Sequence, residues 1–149
     1  RLNATYIYYG AQGGAMKERQ ETQDLYAEEV SVENKVTRAA AKANYSYSNA
    51  NWDLVDAVEL HSKNIKDIDK STLPEKYRKM SDAQLKTEIE KMTGERKKIQ
   101  KEILDLNTQR EEFIQTELAK TGEGETDLGK AITDAVLRFA NQKGYVQEK

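Results

Sequence analysis

The sequence predicts an all-α fold, an elongated helical hairpin or bundle with long coiled-coil-like helices and an extended N-terminal segment. Three observations predict it. Over 82–120, apolar or long amphipathic residues recur at alternating spacings of three and four, at Leu85, Ile89, Met92, Arg96, Ile99, Ile103, Leu106, Arg110 and Phe113. Such a heptad seam on one helix calls for cover by another. A second stretch, 15–43, is rich in Ala, Glu, Gln, Lys and Arg, all strong helix formers. One proline and a charged fraction of 34% suit exposed helices around a thin core better than a sandwich or an α/β fold.

Residues 1–10 read as an extended segment because Thr5, Tyr6, Ile7, Tyr8 and Tyr9 are β-branched or aromatic. Gly10, Gly13 and Gly14 punctuate its end. A lone strand is unstable, so it needs a sheet or groove outside the chain. The other reading is a tail pinned onto the helices by its tyrosines. The remainder, 11–149, is helical, with helices expected over about 15–43, 52–61, 74–79, 82–120 and 127–143.

The first of these helices carries a thin apolar stripe, including Met16, Tyr26, Val30, Val36 and Ala39, so it depends on a neighbour. Tyr45 to Asn51 is a polar connector. Trp52 to Leu60 is a short amphipathic helix capped by Asn51 or Asp53. Trp52, the only tryptophan, is expected as a core anchor, and as a partner-facing hot spot if it is exposed. Pro74 suits a first helical turn. Ser81 with Gln84 forms a capping box that opens the long helix. Gly94 inside it marks a weak point or a close helix contact. After the connector at Thr121–Thr126, Leu128, Ile132, Ala135, Val136 and Phe139 line one face of a last helix.

Lys plus Arg number 24 against 26 Asp plus Glu, and the net charge of −2 gives no drive toward nucleic acid or anionic lipid. With no cysteine, disulfides, thiolate metal sites and cysteine nucleophiles are excluded. No apolar run approaches the roughly 20 residues that span a bilayer. The first residue is Arg1 and no signal peptide is visible, so the expectation is a fragment of a longer protein.

No cluster has catalytic, cofactor or metal spacing. His61 is the sole histidine and lacks a second imidazole or a thiolate. The pairs Glu28–Glu29, Glu88–Glu90 and Glu111–Glu112 point in different directions on helices. The basic run Arg96-Lys97-Lys98 with Lys101 is interleaved with acids and lacks stacking aromatics. Arg96 and Arg110 sit on the seam, where polar residues set register and partner choice. The plainer expectation is that their stems cover the seam edge while their heads reach water. Asn3-Ala4-Thr5 and Asn44-Tyr45-Ser46 match the glycosylation sequon, a pattern common by chance.

Four strings together resemble a bacterial family. They are Leu2 to Gly10, Asn51-Trp52-Asp53-Leu54-Val55-Asp56-Ala57, Leu73-Pro74-Glu75, and the stretch from Glu95-Arg96-Lys97-Lys98-Ile99-Gln100 to Arg110-Glu111-Glu112-Phe113-Ile114. The chain is similar to the region downstream of the von Willebrand factor type A domain in bacterial exported proteins. The resemblance covers most of the chain and rests chiefly on the Trp-Asp-Leu-Val-Asp-Ala string. It implies an upstream type A domain in the same precursor, with 1–10 as the exit from it, and a periplasmic or extracellular location. The metal site of such domains uses an Asp-x-Ser-x-Ser motif that this chain lacks, so no site residue carries over.

The expected function is that of a non-enzymatic helical protein-interaction or scaffold region, acting through the seam on a protein partner or a second copy. The alternative is a regulatory or catalytic accessory subunit whose site forms only in complex. A buried cluster around His61, Glu59 and nearby lysines would favour that alternative.

Overall fold

A computed structural model describes residues 1–121, 134–139 and 142. Among them the secondary structure is helical, with no strand. The chain forms two compact units, Arg1–Asn107 and Thr108–Lys149. Residues 1–121 form α1 (Gly13–Val30), α2 (Val32–Ala43), α3 (Leu54–Glu59), α4 (Glu75–Arg78) and α5 (Asp82–Thr121). Short 3₁₀ turns occupy Leu2–Thr5, Ile65–Asp67 and Lys70–Thr72. Of the expected final helix, 134–139 is helical, and the rest of 127–143 apart from 142 lies outside the described residues.

The N-terminal segment is an inside strap of the first unit. After its opening 3₁₀ turn it runs extended, and a single antiparallel bridge pairs Tyr8 with Asp53. Leu54 N donates to Ile7 O at 2.8 Å, and Tyr9 N donates to Trp52 O at 2.9 Å. Its partner therefore lies within the chain, and no external sheet is needed to satisfy these groups. Gly10 turns the chain at φ 78°, where a side chain would be strained. Gly13 lets α1 start close by, since a Cβ there would stand 3.3 Å from Tyr8 Cβ.

The segment expected as one helix over 15–43 is two. Ser31 is extended at φ −168° and ψ 163°, and its hydroxyl accepts from Asn34 N at 3.0 Å as the cap of α2. The thin stripe explains the break. Folding back lets α1 and α2 cover each other, which a single straight rod could not do. Ion pairs across the resulting hairpin join Glu28 to Lys35, and Asp24 to both Arg38 and Lys42.

The core gathers Ile7, Leu54, Val55, Leu73 and Tyr77 around Leu85, Ile89 and Met92 of α5. The seam of α5 is thus covered by a patchwork of α3, α4, a loop leucine and the N-terminal strap, not by a second long helix. Coiled-coil packing is not shown along this part of the seam, where short elements supply the apolar cover that knobs-into-holes packing would take from a partner helix. Ser81 and Gln84 make both bonds of the capping box, at 2.8 and 3.2 Å. Gly94 faces open space, because a Cβ added there would meet nothing within 4 Å, so it marks no close helix contact.

Candidate functional site

Along α5 the nine seam residues meet three different environments. Leu85, Ile89, Met92 and Arg96 are buried, while Ile99 and Ile103 are half-buried. Leu106 is 57% exposed, and in the second unit Arg110 is half-buried and Phe113 is 66% exposed. The change in cover begins one turn after Arg96.

Arg96 is 3% exposed, and its head does not reach water. Its Nη1 donates to Asp53 Oδ2 at 2.7 Å and also to Asp56 Oδ1. Nε donates to Thr5 Oγ1 at 2.9 Å and Nη2 to Thr5 O at 2.7 Å. The guanidinium also lies 4.6 Å from the Tyr6 ring centroid, a cation–π distance. One side chain therefore ties the N-terminal strap, the start of α3 and α5 together. Sequence reasoning expected an edge-covering arginine here. The one available signal was the pair of acids at Asp53 and Asp56, which share a helix face at i, i+3.

The acids are fully occupied. Asp53 caps α3 by accepting from Asp56 N at 3.1 Å, and its other oxygen accepts from Ile7 N at 2.8 Å. Burial pushes the Asp53 carboxyl above its usual range, and Arg96 works against that shift. Burial also raises the Tyr6 phenol to about 12. Trp52 is buried beside it, with ring centroids 5.4 Å apart. The assembly is a lock in which Thr5, Asp53, Asp56 and the Arg96 guanidinium are all bonded within the chain.

Beyond the lock, a groove of about 360 Å³ opens in the first unit between the α1–α2 hairpin and the 99–106 stretch of α5. Leu2, Ala39, Ile99, Ile103 and Leu106 line it with apolar surface. Charges at its margin are matched inside the chain: Arg1 with Glu102 at 3.1 Å, Lys35 with Glu28, and Arg38 and Lys42 with Asp24. Lys42 is buried and also donates to Asn3 Oδ1 at 2.6 Å. Burial pulls its ammonium below the usual lysine range, with Asp24 opposing. For Asp24, burial acts upward, but hydrogen bonds from Lys42, Asn3 and Arg38 outweigh it and hold the carboxyl low.

Elsewhere the chemistry is sparse. His61 is exposed, and Glu59 pairs with Lys97 at 2.5 Å, so no buried cluster converges around His61. Among the described residues no group of three or more His, Cys, Asp or Glu could hold a metal ion. No described helix is long and apolar enough to cross a membrane. Of the two sequons, Asn3 is bonded to Asp24 and Lys42, and Thr5 is buried under Arg96. Asn44 is exposed, and its Oδ1 accepts from Ser46 N and Oγ at 3.0 and 2.8 Å. No protein family, curated protein or solved structure matches the chain.

Proposed function

We propose that this chain is a non-enzymatic helical protein-interaction region, and that it works by receiving an amphipathic helix in the groove between α2 and α5. The observation that carries this reading is the loss of cover along the seam. The same periodic stripe that is core at Leu85, Ile89 and Met92 continues as groove floor at Ile99, Ile103 and Leu106. These three sit at i, i+4 and i+7, the spacing at which one helix receives another. Each charge at the margin is paired inside the chain, with Arg38 and Lys42 sharing Asp24, so apolar burial is the main gain on binding.

In the same proposal the chain is the tail of a von Willebrand type A domain protein exported by a bacterium. This rests on the resemblance of the strings themselves, whose residues also touch in the fold: Thr5, Asp53 and Asp56 meet at Arg96, while Ile7, Leu54 and Leu73 share the core. An upstream Asp-x-Ser-x-Ser motif and a signal peptide in the precursor would uphold that context, and their absence would remove it.

The groove is tested with a synthetic amphipathic helix bearing Leu at i, i+4 and i+7 and Glu on one flank. Saturable binding by fluorescence anisotropy, weakened at least about tenfold by Ile103→Asp with unchanged circular dichroism, is the expected result. Absence of binding, or binding indifferent to Ile103→Asp, overturns the reading.

A further inference from the structure

The outer face of α1 carries a second apolar surface. Leu25, Tyr26 and Val30 are 59%, 62% and 71% exposed. With 3.6 residues per turn they fall within about 140° of the helix circumference, and Glu29 lies among them. Asp24 and Glu28, which line the groove, fall on the opposite side of the same helix. Glu29 is exposed, and among the described residues its carboxylate joins no ion pair.

The groove answers this face in both shape class and charge. Its floor is apolar, and its α2 wall carries Lys35 and Arg38 at i and i+3, with Lys42 buried one turn further on. Arg38 and Lys42 share one carboxylate, which leaves a cationic excess on that wall. Among the described residues Lys35 is paired with Glu28 alone, with both side chains 54% exposed, so it can turn to an incoming acid at little cost.

Resting on the reading of the groove as a helix receptor, we propose that its occupant is the outer face of α1 from a second copy of this chain. Leu25, Tyr26 and Val30 enter the apolar floor, and Glu29 meets the Lys35–Arg38 wall. The donor face and the acceptor groove are different patches on opposite sides of α1, so the contact is head-to-tail. Such contacts close into rings or run on as open assemblies and do not stop at an isologous pair.

Sedimentation velocity on the full chain, from micromolar to millimolar, tests this. The expected wild-type result is a mass that grows with concentration past the dimer. Ile103→Asp removes the acceptor and Leu25→Glu with Val30→Glu removes the donor. Each variant alone is expected to be monomeric, with self-association weakened at least about tenfold, and an equimolar mixture of the two is expected to form a capped heterodimer. Glu29→Lys, at an exposed position, weakens association without touching the fold, and circular dichroism verifies folding of each variant. A wild type that stays monomeric throughout, or an assembly that survives both sets of changes, overturns the proposal. If the chain stays monomeric and still binds the synthetic helix, the groove reading stands and only the identity of its occupant falls.

Discussion

Arg96 and Asp53, 43 positions apart in sequence, meet through a 2.7 Å hydrogen bond in which both side chains are almost wholly withdrawn from water. Their contact joins the middle of α5 to the N-cap of α3, and Thr5 is fastened by the same guanidinium. A buried pair of this kind is worth little beyond an apolar substitute of equal volume, but breaking it leaves a charge stranded. Arg96→Met is therefore expected to cost about 3–5 kcal/mol in urea denaturation. Adding Asp53→Asn should recover part of that loss. A single-variant cost near zero would show that the lock does not hold the unit together.

Trp52 is 4% exposed and packs on Tyr6. Its emission should be blue-shifted, and Trp52→Ala should lower stability by about 3–5 kcal/mol. Emission typical of free indole, with an unchanged denaturation midpoint, would place the indole in water.

The hairpin should respond to acid through Asp24. Its folded-state pKa lies below the unfolded value, so its contribution is present above about pH 4 and disappears as pH falls through the folded pKa. Stability of the wild type measured from pH 7 down to pH 3 should fall more steeply than that of Asp24→Asn. Parallel curves would mean that Lys42, Asn3 and Arg38 do not favour the ionised carboxyl.

Gly94→Ala should stabilise the chain by up to about 1 kcal/mol, because helix propensity improves and the added methyl meets nothing. A loss of stability, read from thermal melts, would reveal a contact at that face.

His61 stands at φ 53°, just past the end of α3, with its N–H bonded to Val58 O and that of Ser62 bonded to Ala57 O. This is a Schellman ending in which the left-handed position holds a histidine where glycine is favoured. His61→Gly should raise stability by about 1 kcal/mol. An equal or larger loss would give the imidazole a structural role that its exposure does not suggest.

Much of the fold was legible locally. The three-four spacing along 82–120, the Ser81–Gln84 capping box and the Asp53 cap each depend on residues within a turn or two of one another, and helix period and capping chemistry act over that range. The candidate site was half legible. The floor residues Ile99, Ile103 and Leu106 were marked by period alone, but nothing in the period says where cover stops.

By itself the sequence determined the helical class, the start of α5 and the periodic stripe along α5. Only the tertiary structure decided what that stripe meets. The strap at Thr5 and Ile7 turns inward because Asp53 and Arg96 satisfy its backbone, and Arg96 is buried because two separated segments, the strap and the start of α3, supply its acceptors at once. The break at Ser31 likewise follows from what α1 and α2 gain by covering each other. These outcomes depend on groups far apart in the chain, whose desolvation is tolerable only when all partners arrive together. No local pattern encodes that condition.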